Sequence, residues 1–166
     1  MEATIVNRVA QSALVTLDPQ DFREPGEIAE IDLKDRLFMG LILKEKDFRA
    51  YVAEMEPEEY RNKHVALYCS ADAIVPVWAY MLLAATLAPV ARTVFFGTPQ
   101  ALEAELFLRN VRQTDFSSYQ GKRVVLKGCG GTPPAVYVEL TARLRPFVKS
   151  IMYGEPCSTV PVFKAK

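Results

Sequence analysis

The chain has 166 residues, half of them apolar, with 20 acidic and 20 basic side chains and one histidine. This length suffices for one core and is read as a single domain, 1–166, with an acidic segment, 1–60, packed on an α/β unit, 61–166. Balanced charge gives nucleic acid no support as a partner. The start, MEATIVNRVAQSALVTLD, lacks the basic and apolar regions of a signal peptide, and three widely spaced cysteines make no secreted disulfide framework, so a reducing cytoplasm is expected.

No internal repeat is read from the chain. SALVTLD and AEIDL have the β-branched residues and alternation of strands. LFMGLIL is either a buried strand or the front of the next helix. In EKDFRAYVAEM, Phe48, Tyr51, Val52 and Met55 recur at helical spacing and form a core-facing stripe. Charge is uneven: 13 acids against 6 bases from Asp18 to Glu59, and 6 against 13 from Tyr60 onward. An acidic segment docking on a basic one explains this without an anion-binding face.

From His64 the pattern becomes regular. HVALYC (64–69) is a strand and PVWAYMLLAATLAP a helix bounded by prolines. No charge falls between Asp72 and Arg92, but Pro76 and Pro89 leave about a dozen helical residues, against the roughly 20 that span a bilayer, so no membrane is expected. ARTVFFG (91–97) is a strand, and TPQALEAELFLRNV a helix capped by Thr98. KRVVLKG (122–128), PAVYVELTARLRP and PFVKSIMYG (146–154) follow as strand, helix and strand. Such alternation predicts an α/β three-layer sandwich with a mostly parallel sheet and an N-terminal α+β extension.

On one parallel sheet, Cys69, Cys129 and Cys157 would all leave strands at the carboxyl edge, where open α/β folds bind ligands. Their neighbours suit a site. Asp72 either caps the following helix or faces the thiols, Ser70 stands beside it, and GCGGTPP brings Gly130 and backbone that turns tightly enough to offer N–H groups. Glu155 and Ser158 flank Cys157. Lys127 either offsets thiolate charge or is solvated at the rim, and Trp78 and Tyr80 belong to the core.

Several chemistries drop out. His64 begins the strand that Cys69 ends, roughly 16 Å away at strand rise, which removes a Cys–His nucleophile and a Cys₃His zinc site. The glycine loop lacks the Lys and hydroxyl ending of a P-loop, and no nucleophile-elbow motif is present. Three thiols without histidine favour a soft metal centre: iron, zinc or an iron–sulfur cluster, with Asp72, Glu155 or water as a further ligand.

The blocks CSADAIVPVWAYM, VVLKGC and GEPCSTVP, with IVNRVAQSALVTLD and LKEKDFR, resemble an uncharacterised bacterial family of unknown function over nearly the full chain. Its members look to be encoded near iron–sulfur assembly proteins, so the resemblance implies sulfur or metal handling with those proteins as partners. The leading expectation is a cytoplasmic protein that binds metal through Cys69, Cys129 and Cys157 and is accessory to iron–sulfur assembly. Two alternatives stand beside it. One is a thiol enzyme or sulfur carrier with a reactive Cys69, favoured before a helix N-terminus, or Cys157. The other is a scaffold with structural cysteines, and a homo-oligomer is compatible with each.

Overall fold

A computed structural model of the chain describes residues 14–128, 130–155 and 157–166. Within them the fold is α/β, with four α-helices and parallel pairing dominant in both of its sheets. The described chain forms two compact units, one of residues 25–105 and one of residues 14–24 with 106–166. The first is thus inserted, in sequence, into the second.

The inserted unit carries β2 (Ile28–Asp32), α1 (Glu45–Glu54), β3 (His64–Tyr68), α2 (Val77–Leu87) and β4 (Thr93–Phe96). Its sheet runs β2-β3-β4, all parallel. Phe48 and Val52 of α1 and Ala79, Leu83 and Leu87 of α2 meet Val65 and Leu67 in its core. These helix positions recur every three or four residues, which is why one stripe of each helix is buried.

The flanking unit carries β1 (Leu14–Leu17), the part of α3 (Pro99–Gln113) from Leu106 on, β5 (Arg123–Leu126), α4 (Pro134–Leu144), β6 (Ser150–Glu155) and β7 (Ser158–Lys164). Its sheet runs β1-β5-β6-β7, parallel except for the last pair. Phe107, Val111, Val124, Leu126, Val136, Leu140 and Leu144 fill its core.

The two units repeat one plan, contrary to the expectation of no repeat. Tyr60 O accepts from Lys63 N at 3.1 Å, and Tyr119 O accepts from Lys122 N at 3.0 Å. Arg92 N donates to Lys63 O at 2.8 Å as Lys149 N does to Lys122 O at 2.7 Å. The turn before each central strand has a left-handed residue, Asn62 in one and Gly121 in the other. Buried positions correspond as well: Phe48 with Phe107, Val52 with Val111, Leu67 with Leu126, Leu83 with Leu140. KHVALYC thus matches KRVVLKG, and LAPVARTVFFGTP matches LRPFVKSIMYGEP, with the intervening loop two residues shorter in the second copy.

The single sheet expected for the C-terminal strands is therefore corrected to two. Each β-α-β pair is extended by its own N-terminal strand, β2 beside β3 and β1 beside β5, so the four later strands divide between sheets. LFMGLIL is neither strand nor helix start. It forms a short turn in which Phe38 N donates to Ile42 O at 2.6 Å, with Met39 and Gly40 left-handed. β7 was not anticipated: Pro161 disguises its alternation, and a bulge between Ile151 and Met152 accommodates the proline. The helix starting at Pro99 is as expected, with Thr98 Oγ1 accepting from Ala101 N at 3.2 Å.

Candidate functional site

Parallel strands send their following loops to one end, so each unit has a carboxyl edge of its own. In the inserted unit that edge is organised by Asp32, the last residue of β2. Its Oδ1 accepts from Lys34 N and from Ser70 N, both at 3.0 Å, and its Oδ2 accepts from the Ser70 hydroxyl at 2.6 Å. Burial raises the Asp32 pKa, but the Ser70 hydroxyl and the two backbone donors outweigh it and hold the carboxyl below its ordinary value. Tyr68 donates to Glu30 Oε2 at 2.7 Å, and that hydrogen bond pushes its phenol up to about 12.

Cys69 follows β3 directly and is half-buried, its Sγ donating to Ala71 O at 3.8 Å. Tyr80 on α2 has its phenol pushed up by burial and by the neighbouring Cys69 and Asp32. Its ring meets Phe96 edge-on at 4.9 Å. Asp72 is exposed and does not cap α2. The cap position is Pro76, whose extended backbone starts the helix at Val77, five residues beyond Asp72. The same spacing separates Cys69 from the helix N-terminus that would have favoured its reactivity.

In the flanking unit the same edge has a different chemistry. Asp18 closes β1 as Asp32 closes β2, with Oδ1 accepting from Gln20 N at 2.9 Å and Oδ2 from Lys127 Nζ at 3.1 Å. The Gln20 amide is the largest cause that holds the Asp18 carboxyl below its usual range; burial opposes it and Lys127 reinforces it. Lys127 is therefore ion-paired and not simply solvated at the rim. Gln20 Nε2 donates to Gly130 O at 2.9 Å and to Thr132 Oγ1 at 2.6 Å, pinning the glycine loop. Tyr137 donates to Lys127 O at 2.8 Å and Tyr153 to Gly128 O at 3.3 Å, with the two rings edge-on at 5.4 Å. A Cβ on Gly128 would lie 3.0 Å from the Tyr153 ring, so the close approach of loop and strand needs glycine there. The pocket between Gly128, Gly131, Thr132, Pro134, Tyr137 and Tyr153 holds about 390 Å³.

The expected site residues thus fall on two edges. Cys69, Ser70 and Asp72 belong to the inserted unit. Gly130, Glu155, Cys157 and Ser158 belong to the flanking unit, where Glu155 pairs with Ser158 across the turn that exposes Cys157. The expected gathering of three thiols on one sheet is corrected for Cys69, which follows a strand of the other sheet; Cys129 lies outside the described residues. Among the described residues no three His, Cys, Asp or Glu side chains are grouped to hold a metal ion. His64, as expected at the far end of β3, is fully buried, with Nε2 3.0 Å from Pro25 O and Nδ1 3.1 Å from Thr93 Oγ1. Both ring nitrogens are engaged in the fold.

Sequence reasoning missed Asp18, Gln20, Asp32 and the ring pairs Tyr80–Phe96 and Tyr137–Tyr153. Aligning the two β-α-β segments would have found the rings, since they fall at matching positions of each segment. Among the described residues no helix is long and apolar enough to cross a membrane. Neither the curated proteins nor the solved structures contain a match to the chain. A family model matches residues 3–165 of the chain, which therefore belongs to the family described as "Protein of unknown function (DUF2480)".

Proposed function

We propose that the protein binds a soft metal ion or an iron–sulfur cluster at the carboxyl edge of its four-stranded sheet, through Cys129 and Cys157. The supporting observation is the parallel register of β5 on β6, which pairs Leu126 with Tyr153. In sequence, Cys129 stands three residues past Leu126 and Cys157 four past Tyr153, so both follow neighbouring strands at the same end. Glu155 and Ser158, beside the second thiol, are the oxygen donors of this set, and glycines in the β5–α4 loop suit a close approach of backbone to thiolate sulfur. Cys69 leaves the other sheet and stands outside the set. A role accessory to iron–sulfur assembly, in a reducing cytoplasm with assembly proteins as partners, suits such a donor set.

The test is metal and acid-labile sulfide content of protein purified without oxygen, with its absorption spectrum. Cys129→Ser and Cys157→Ser should each lose most of the metal, and Cys69→Ser should retain it. Metal-free wild-type protein, or full content in Cys157→Ser, would overturn the proposal. The exposure of Cys157 favours a second reading, a thiol that carries sulfur. Selective alkylation of Cys157 in metal-free protein would support that one, and equal, slow labelling of all three thiols would count against it.

A further inference from the structure

In the flanking unit the outer edge of β6 is covered, because β7 runs antiparallel along it from Ser158 to Lys164. The inserted unit stops one strand short. Its β4 corresponds to β6 and is the last strand of the order β2-β3-β4, and the chain passes from Phe96 through Gly97 to α3. Among the described residues no strand pairs with the outer side of β4. An open edge is normally blunted by charge or proline. β7 has Pro161 and Lys164, and β2 has Glu30 and Asp32, but Thr93–Phe96 reads TVFF and, like LVTL of the β1 edge, has neither.

Beside that edge lies a groove of about 660 Å³, between α2, β4 and the loop after Cys69. Ile74, Val77, Met81 and Phe96 line it and are 91%, 72%, 66% and 69% exposed. No charged residue occurs from Ala73 to Ala91. Large apolar side chains gathered at an unblunted strand edge mark a surface that is covered in use.

We propose that a second copy of this chain covers it: β4 pairs antiparallel with β4 of that copy across a two-fold axis, and the apolar faces of the two α2 helices close over the joined sheet. An identical strand turned antiparallel satisfies the free backbone donors and acceptors of both edges at once, and an uncharged face meets itself without repulsion. Antiparallel addition at this position is already how β7 completes the sister sheet. The four side chains expose on the order of 600 Å², so two copies bury up to on the order of 1,200 Å², the size at which specific interfaces begin.

Light scattering or sedimentation equilibrium of the full chain, over a roughly hundredfold range of concentration, tests this. The expected result is twice the chain mass for wild type, and the single-chain mass for Met81→Glu and for Phe96→Glu with unchanged circular dichroism. Val138→Glu places the same charge at the matching exposed position of the flanking unit and should remain a dimer. A single-chain mass for wild type throughout, which would leave the edge to an extended segment of another protein, overturns the proposal. So does a dimer that survives both Met81→Glu and Phe96→Glu, or one broken by Val138→Glu instead.

Discussion

Asp18 and Asp32 hold the same post in different sheets: each follows an apolar strand residue and accepts a hydrogen bond from the backbone N–H two residues on, at 2.9 and 3.0 Å. Both carboxyls are held below their ordinary pKa in the folded chain. Their contribution to stability is therefore complete above the unfolded value of about 3.9 and is lost as pH falls through the lower folded values. Thermal unfolding midpoints of wild type should drop between about pH 5 and about pH 2. The double variant Asp18→Asn/Asp32→Asn should start lower and drop less steeply. An identical slope in the double variant would remove these two residues from the acid response.

Gln20 holds the glycine loop by two hydrogen bonds from one amide group. Gln20→Ala should free residues 130–133 without disturbing the core, because the side chain touches the loop from outside the sheet. Losing a net of about 1 kcal/mol corresponds to roughly fivefold faster amide exchange there. Exchange in α2 and β3 should not change. Uniform acceleration across the chain would show that Gln20 supports global stability instead.

Tyr68 titrates at about 12 because its hydroxyl is committed to Glu30. Glu30→Gln removes the acceptor charge, and one phenol should return towards the ordinary value of about 10 in a spectrophotometric titration. The sign follows from the hydrogen bond, since it stabilises the protonated phenol. A titration curve unaffected by Glu30→Gln would sever that link.

Leu83 and Leu140 are matched core residues on α2 and α4, each without accessible surface. Leu83→Ala and Leu140→Ala should each cost about 2–5 kcal/mol in denaturant unfolding, as large-to-small changes do in close-packed cores. A cost under about 1 kcal/mol in either would mean that its site collapses to fill the space, and the two units would then differ in packing.

Much of the fold was legible because local patterns agree with it. The strand at 64–68 has β-branched and apolar residues, the helix at 99–113 has its Thr98 cap, and the stripe through Phe48 and Val52 has helical spacing. Sheet membership was not legible. A parallel strand buried on both faces looks the same whichever sheet it joins, so HVALY and RVVL gave no sign that they are central strands of different sheets. The repeat hid because its identities, such as Phe48 with Phe107 and Leu83 with Leu140, are scattered among positions that differ, with Ala79 opposite Val136 and Tyr68 opposite Lys127. The candidate site suffered from both. Cys157 was placed at a strand edge from sequence, but Pro161 disguised the neighbouring strand β7, and the Gln20 clamp depends on contacts more than a hundred residues apart.

The insertion of one unit within the other sets an order in time. β2, β3 and β4 all emerge from the ribosome before any of β5 does, so the inserted sheet can assemble while synthesis continues. β1 has no such neighbour; its Asp18 waits for Lys127, 109 residues later, which is on the order of ten seconds at usual translation rates. A nascent chain halted after β4 therefore presents one finished sheet and one lone apolar strand, and that strand is where a chaperone would find its hold.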